Sequence, residues 1–154
     1  MAGGGKPCRV IGLGNPERGD DGAGRAVARW LAGRLPPQVE ILERGGEAAD
    51  LLACLDGAGA VYLVDASAPT GAPGRIRRFD AAAAPLPAES FAFSTHGLGL
   101  GEAVELARAL GSLPPHCVVY AIEGQAFDPG APLSPPVAAA VAEAGGLLTR
   151  EIAG

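Results

Sequence analysis

The stretch from residue 10 to 24 constrains the fold of this chain more than any other part of the sequence. An apolar run, Val-Ile-Gly-Leu, leads into Gly14, Asn15 and a short loop, and an amphipathic segment follows the acid pair Asp20-Asp21. This order predicts a β-strand, a tight turn and a helix, with two carboxylates standing beyond the carboxyl end of the strand. Open α/β sheets bind their ligands at that end of the strands.

The glycine-rich turn differs from the fingerprint that binds dinucleotides. That fingerprint places its third glycine five residues after the first, and the residue five positions after Gly12 is Glu17. Two adjacent carboxylates would also repel the pyrophosphate that such a turn binds. A cation, or a reaction that transfers a proton, suits this acidic turn better.

The overall composition is typical of one folded domain. The length of 154 residues allows a substantial core, so we predict a single domain over residues 1–154, with residues 1–7 flexible. The 24 glycines and 14 prolines fall between apolar segments, where they predict turns rather than disorder. Three widely spaced cysteines, Cys8, Cys54 and Cys117, predict buried structural thiols rather than a disulfide framework or a zinc clip.

Charge and hydropathy argue against several classes of partner. The net charge is −5 and no basic run occurs, so nucleic acid is not expected as a partner. No apolar run reaches the length of a membrane span, and the N-terminus lacks the apolar core of a signal peptide. We therefore expect a cytoplasmic protein without membrane contact.

Strand-like and helix-like segments alternate along the chain. The pattern predicts strands over 9–13, 39–42, 60–65, 75–79 and 117–122, and helices over 21–35, 47–55, 98–110 and from 135 onward. This alternation predicts an α/β fold in three α/β/α layers, with a mostly parallel twisted sheet and helices on both faces. The carboxyl ends of the strands would then share one edge, which collects Gly14-Asn15, Gly45-Gly46, Asp65 and the generic polar residue Glu123.

The two histidines differ in their predicted position. His96 follows Ser94-Thr95 in a loop before a helix, on the same edge as Asp21 and Asp65, whereas His116 begins a strand at the opposite edge and is predicted to be structural. Two carboxylates and one imidazole make a three-ligand site with open positions. Such nitrogen and oxygen ligands suit a borderline divalent metal such as nickel or zinc.

Most of these residues also have a structural interpretation. A single carboxylate is enough to cap the first helix, and Asp20 is the better candidate for the cap while Asp21 is the better candidate ligand. Asp65 is equally compatible with an ordinary turn residue at a strand end. Asn15 is also typical of a turn residue that tolerates left-handed geometry.

The order of these motifs resembles a known family. The pattern Gly-x-Gly-Asn-x4-Asp-Asp-Gly-x-Gly, then a strand ending in Asp, then a Ser-x-His turn before a helix, is similar to the [NiFe]-hydrogenase maturation endopeptidases. The resemblance runs from Val10 to about Ile152 and includes the Leu133-Ser134-Pro135 start of the last helix. It implies a peptidase that removes the C-terminal extension of a hydrogenase large-subunit precursor after nickel insertion.

The resemblance also implies a set of site residues. The acidic residue, the Asp and the His with which the family contacts nickel correspond to Asp21, Asp65 and His96. The nickel is expected to arrive in the substrate, so no stably bound cofactor is expected. The expected partner is the large-subunit precursor, and the expected oligomeric state is a monomer.

Substrate contacts are implied for three further residues. The turn Gly45-Gly46 falls where the family has a glycine-containing loop that contributes to substrate recognition. Together with Asn15, these glycines are the predicted substrate-binding residues.

The catalytic step is open between two mechanisms at this point. In one, the metal acts as a Lewis acid that polarises the scissile carbonyl and activates water. In the other, nickel is a recognition handle, and a carboxylate such as Asp20 or Asp21 activates water. The catalytic candidates are therefore Asp20, Asp21 and His96.

Two other functions share parts of the pattern. Peptidyl-tRNA hydrolase also opens with a strand and Gly-Leu-Gly-Asn-Pro, but it needs a His in a Thr-Arg-His-Asn context and a basic surface. A non-catalytic domain of the same fold that binds a metal or a partner is the second alternative. A degenerate domain of that kind is expected to lose part of the acid–Asp–His set, which this chain keeps.

Overall fold

In residues 5–87 and 99–154, which the computed structural model describes, five strands and four α-helices alternate. The strands are β1 (Cys8–Leu13), β2 (Val39–Arg44), β3 (Ala60–Ser67), β4 (Ile76–Asp80) and β5 (His116–Glu123). The helices are α1 (Ala23–Leu31), α2 (Ala48–Leu55), α3 (Leu100–Leu110) and α4 (Pro135–Ala153), and a 3-10 turn over Gly19–Gly22 precedes α1.

The strands form one sheet in the order β2-β1-β3-β5-β4. Strands β2, β1, β3 and β5 are parallel to one another, and the edge strand β4 pairs with β5 in the antiparallel direction. The predicted α/β fold with a mostly parallel sheet is therefore confirmed. The chain passes from β1 to β2 on one side and then to β3 on the other, so the strand order reverses between β1 and β3. Ligand sites of open α/β sheets lie at such a reversal.

Apolar cores on both faces of the sheet give the predicted three layers. One core contains α1, α4 and inward residues such as Val10 and Val64, and the other contains α2, α3 and residues such as Ile11 and Leu63. Neighbouring residues of a strand point to opposite faces, so a strand covered on both sides is apolar at every position. This explains the apolar runs over 10–13 in β1, 60–64 in β3 and 117–122 in β5.

Helix α1 is shorter than the predicted helix over 21–35. The residues before Ala23 form the 3-10 turn, and the helix ends at Leu31, followed by Ala32 as its C-cap. Gly33 has a φ of +81°, which lies in the left-handed region that terminates helices. The prediction extended the helix to the proline pair and missed the stop signal that this glycine provides.

Most other predicted boundaries moved by one or two residues. Strand β3 continues two residues beyond Asp65 to Ser67, and β2 continues to Arg44. The predicted helix over 98–110 begins at Leu100, and residue 98 lies outside the described residues. The prediction of flexibility for residues 1–7 falls mainly on residues 1–4, which also lie outside them.

The described cysteines are free thiols. Cys54 and Cys117 are buried as predicted, and Cys8 at the start of β1 is only partly buried. No helix in residues 5–87 and 99–154 has both the length and the apolar character that a membrane span requires.

A contact between glycines sets the position of α1 over the sheet. A Cβ on Gly24 would lie 2.2 Å from the carbonyl oxygen of Val64 and 2.5 Å from that of Leu13. A Cβ on Gly12 would in turn lie 2.4 Å from the carbonyl oxygen of Gly24. The first turn of α1 therefore touches the ends of β1 and β3 directly, backbone against backbone.

Replacing Gly24 by Ala should destabilise the fold by about 2–3 kcal/mol or more, because the added methyl group meets strand carbonyls that cannot rotate away. The matched control is Gly146→Ala in α4, where the nearest atom to the new Cβ is Arg150 Nη1 at 3.9 Å. That change should stabilise the fold by about 0.5–1 kcal/mol, because glycine is a poor helix former. Denaturant unfolding of both variants measures the difference, and equal effects would contradict this account of the contact.

Candidate active site

The candidate site lies where β1 and β3 end side by side. Gly12 pairs with Val64, so Asp65 stands one residue further along β3, at the level where β1 passes into its turn. The turn after β1 carries Asp20 and Asp21 back over the same edge. The topology therefore brings acidic groups from two neighbouring strands to the point where the strand order reverses.

Gly14 allows the turn to fold against Asp21. It has a φ of +121°, and a Cβ there would lie 1.9 Å from the carbonyl oxygen of Asp21. The next amide, Asn15 N–H, donates to Asp21 Oδ2 at 2.9 Å. The carboxylate of Asp21 is thus fixed through one oxygen.

Asn15 supports the turn in a different way from the one predicted. No described residue other than glycine has a positive φ, so the positive-φ residues of the turn are Gly14 and Gly19 and not Asn15. The side-chain oxygen Oδ1 of Asn15 accepts the N–H of Glu17 at 2.9 Å. This hydrogen bond makes a local Asx turn.

The charges of Asp21 and Asp65 interact. Burial of the Asp65 carboxyl and the neighbouring negative charge of Asp21 raise the pKa of Asp65 to about 7, against the opposing effect of the Ala66 N–H. That N–H donates to Asp65 Oδ1 at 2.8 Å. Two carboxylates that repel each other in a partly buried place favour the uptake of a proton or of a cation.

Asp20 has a different environment from its neighbour. It is fully buried, and its carboxylate accepts four hydrogen bonds. Oδ2 accepts the N–H groups of Gln125 at 2.7 Å and Ala126 at 3.0 Å, and also the Ser134 hydroxyl at 2.7 Å; Oδ1 accepts the Ser134 N–H at 2.7 Å. Burial opposes ionisation of Asp20, but these hydrogen bonds outweigh it and hold the pKa below its usual range.

Backbone hydrogen bonds extend this attachment. Asp20 N–H donates to Ala126 O at 2.8 Å, Gly19 N–H donates to Ala131 O at 3.1 Å, and Gly130 N–H donates to Glu17 O at 2.6 Å. The β1–α1 turn is therefore joined along its length to the loop over 124–134 that precedes α4.

The prediction that Asp20 caps the first helix is wrong. The N-cap position of α1 is Gly22, and no side chain caps it. Ser134 holds the N-cap position of α4, but its hydroxyl donates to Asp20 instead of bonding to its own helix. Sequence proximity favoured a local cap, whereas the partners of Asp20 lie more than 100 residues away.

The turn Gly45-Gly46 follows β2 at the same edge. Gly46 has a φ of +93°, and a Cβ on Gly45 would lie 4.0 Å from Arg25 Nη2. Arg25 comes from α1, and its Nε donates to the Gly14 carbonyl oxygen at 2.7 Å. The edge therefore carries a guanidinium group as well as carboxylates, which the sequence analysis did not anticipate.

Glu123 was predicted to be a generic polar residue, and this is wrong. The residue is 1% exposed, and its carboxylate accepts the Thr70 N–H at 2.8 Å, the Thr70 hydroxyl at 2.5 Å and the Ala72 N–H at 2.7 Å. Burial opposes ionisation, but the hydrogen bonds from Thr70 and Ala72 hold the pKa of Glu123 below its usual range. Glu123 thus anchors the segment between β3 and β4.

Of the two histidines, His116 lies within the described residues and His96 does not. His116 begins β5 at the amino edge, away from the site, and packs edge-on against Tyr62 with ring centroids 5.3 Å apart. Its predicted position at the opposite edge is confirmed. His96, with Ser94 and Thr95, lies outside the described residues. Within the described ranges no group of three or more His, Cys, Asp or Glu side chains is placed to hold a metal ion.

Comparison with family models adds the decisive observation. The model described as HycI, hydrogenase maturation protease, matches residues 26–151 of this chain. The chain belongs to the HycI family of hydrogenase maturation proteases. The resemblance noted in the sequence is therefore confirmed, and this HycI-family chain is a peptidase. A search of the curated proteins gives no significant match.

Solved structures of maturation proteases share the fold of this HycI-family chain. It is similar to the hydrogenase maturating endopeptidase HybD from E. coli, with a TM-score of 0.79 and 24% identity over 95% of this chain and 91% of that one. It is also similar to two [NiFe] hydrogenase maturation proteases from Thermococcus kodakarensis. The TM-score is 0.74 for HybD, at 25% identity over 95% and 99% of the two chains, and 0.70 for HycI, at 25% identity over 99% and 96%.

Replacing Asp20 by Asn should destabilise this protease by about 2–4 kcal/mol at pH 7, because an amide NH₂ would face buried N–H donors that lose their acceptor. Because the pKa of Asp20 is lower in the folded state, its charge stabilises the fold fully at pH values above its unfolded pKa, which is about 3.9. This stabilisation is lost as the pH falls through the pKa of the folded state. Unfolding midpoints should therefore separate the variant from the native protein at pH 7 and converge below pH 4. The control is Asp128→Asn, an exposed carboxylate of the same loop, and an equal effect from it would disprove the anchoring role.

Replacing Asp65 by Asn should have the opposite effect on stability. Because the pKa of Asp65 is raised to about 7, its ionisation weakens the folded state as the pH rises from its unfolded value through 7. The neutral amide avoids this cost and can still accept the Ala66 N–H. The melting temperature of the variant should exceed that of the native protein at pH 8, and the gain should shrink toward pH 5. A variant that is less stable at pH 8 would contradict the cost that burial and the charge of Asp21 place on ionised Asp65.

Proposed function

We propose that this protease removes the C-terminal extension of a [NiFe]-hydrogenase large-subunit precursor after nickel has been inserted. Membership of the HycI family supports the reaction class. The feature that supports the nickel-dependent part is the burial of the Asp65 carboxyl beside the negative charge of Asp21 at the strand reversal. A site of this kind gains most from a ligand that brings positive charge.

The hydrogen bonds of the two carboxylates leave one oxygen of each available. Asp21 uses Oδ2 for the Asn15 N–H, and Asp65 uses Oδ1 for the Ala66 N–H. No described residue donates to the remaining oxygens, Oδ1 of Asp21 and Oδ2 of Asp65. We propose that these two oxygens and the imidazole of His96 contact the nickel of the substrate, a ligand set that a borderline divalent metal accepts.

This arrangement provides a reason to discriminate between loaded and empty precursors. A precursor without nickel would bury the two carboxylates further without compensating their charge, which is unfavourable. A loaded precursor supplies the compensating cation. The nickel is then part of the substrate, and the enzyme needs no resident cofactor.

We also propose which carboxylates are able to activate water. A general base must reach the proton that it removes. The carboxylate of Asp20 is buried, and both of its oxygens accept hydrogen bonds from the loop over 124–134, so we assign it to anchoring. Asp21 and Asp65 are then the carboxylates that either hold the nickel, which acts as a Lewis acid, or orient the attacking water.

The substrate peptide would approach over the edge that carries Asn15 and Gly45-Gly46. The glycine turn lies beside Arg25 and presents no side chain of its own. Glycines permit close approach of a second backbone. We therefore propose that the extended tail near the cleavage site lies along this turn in the cytoplasm, where a monomer of the protease meets the precursor.

The test is cleavage of a purified large-subunit precursor with and without nickel, measured as the mass lost from its C-terminus. The loaded precursor should be cut and the nickel-free precursor should remain intact. Asp21→Asn, Asp65→Asn and His96→Ala should each lower cleavage by about 100-fold, since even the outer partners of metal ligands are worth about 10–100-fold. Asp50→Asn is the control, because its exposed carboxylate pairs with Arg44 and not with Asp21 or Asp65.

Other outcomes would replace this function. Equal cleavage of the nickel-free precursor would overturn recognition through nickel. Hydrolysis of peptidyl-tRNA would support the alternative enzyme class. Tight binding of the loaded precursor without any mass loss would indicate a non-catalytic binding domain.

A further inference from the structure

One peptide unit at the site is held from both sides by charged groups. The Arg25 Nε donates to the carbonyl oxygen of Gly14 at 2.7 Å, and the N–H of Asn15 donates to Asp21 Oδ2 at 2.9 Å. This carbonyl and this N–H belong to the same peptide bond. The peptide bond is planar, and its C=O and N–H point in opposite directions. The guanidinium of Arg25 and the carboxylate of Asp21 therefore bind opposite sides of one rigid peptide unit.

This grip couples Arg25 to Asp21 although the two side chains are not hydrogen-bonded to each other. A rotation of the peptide plane that breaks the bond to Arg25 also moves the N–H that holds Asp21. Hydrogen bonds with one ionised partner are stronger than neutral ones, and bonds in a chain polarise one another. The Arg25 side chain is 24% exposed, so solvent screens its charge only in part.

The other contact of Arg25 is weaker. Its Nη1 lies 3.9 Å from Glu43 Oε1, whereas Arg29 reaches the same oxygen with Nε and Nη2, both at 3.0 Å. Glu43 is thus the principal partner of Arg29. The carbonyl of Gly14 is the hydrogen-bond acceptor of Arg25 among the described residues.

We propose that Arg25 is a positioning residue, which orients Asp21 through the Gly14–Asn15 peptide and so aims Oδ1 of Asp21 at the substrate. The proposal rests on the proposed function of Asp21. An aspartate has two rotatable side-chain bonds, so a carboxylate that binds a metal needs a hydrogen bond from another group to hold its orientation. Partners of this type orient metal ligands in many sites.

A purely structural clamp between α1 and the turn is the competing interpretation, and Arg29 provides the matched control. It lies four residues further along α1, has a 60% exposed side chain and contacts Glu43 without contacting the turn. Arg25→Met and Arg29→Met remove the same charge from the same helix. They differ in the loss of the bond to Gly14.

The first measurement does not depend on activity. Hydrogen exchange of the Asn15 amide, followed by NMR, should accelerate about tenfold or more in Arg25→Met, because the amide loses its fixed position against Asp21. Arg29→Met should leave the Asn15 exchange rate unchanged. Equal exchange rates in the two variants would overturn the coupling.

The second measurement uses the nickel-loaded precursor. Arg25→Met should lower kcat/KM by about tenfold, the effect typical of groups that orient a metal ligand, while Arg29→Met stays near the native value. Arg25→Lys should recover only part of the loss, because an ammonium lacks the planar donor geometry of the guanidinium. Full recovery with Lys would show that charge alone matters and would overturn the positioning role.

A double-mutant cycle separates action through Asp21 from an independent effect. In the Asp21→Asn background, Arg25→Met should cause little further loss of kcat/KM, because the group that it positions is already disabled. Additive losses would overturn the proposal. If the native protein leaves the precursor intact, the proposed function fails, whereas the exchange of the Asn15 amide still decides whether Arg25 fixes the turn.

Discussion

The buried carboxylate of Asp20 is the contact on which the geometry of this protein depends. It binds donors from a loop and a helix start more than 100 residues away, and it ties them to the turn between β1 and α1. Without these bonds, the turn would be joined to that loop by backbone hydrogen bonds alone. Asp21 is the next residue, so the position of the candidate ligand follows from the burial of its neighbour.

Environment, and not residue type, separates the three aspartates. Asp20 accepts four hydrogen bonds and its pKa is lowered, whereas burial and the like charge of Asp21 raise the pKa of Asp65, which accepts one. Asp21 accepts one hydrogen bond, through Oδ2. Residues with such opposed pKa values at a strand reversal are typical of active sites. Asp21 and Asp65 suit a cation because each accepts a single hydrogen bond from the described residues, whereas the hydrogen bonds of Asp20 already compensate its charge.

The sequence predicted what depends on local pattern and missed what depends on distant partners. The alternation of strands and helices follows from apolar periodicity, and the edge that collects Asp21 and Asp65 follows from parallel strand direction. The cap at Asp20 and the generic role of Glu123 were wrong because their hydrogen-bond donors come from segments far away in the chain. The end of α1 was missed although Gly33 is a local helix-stop residue, because the prediction extended the helix to the proline pair that follows it.

The raised pKa of Asp65 has a consequence for how the free enzyme and its complex exchange protons. The raised pKa favours a proton on this carboxyl below about pH 7, and in the proposed function a nickel ion that enters between Asp21 and Asp65 would displace it. Association with a loaded precursor would then release a proton to the solvent, and departure of the product would recover one. Acidification of the medium would thus compete directly with capture of the substrate, and product release would be helped by the returning proton.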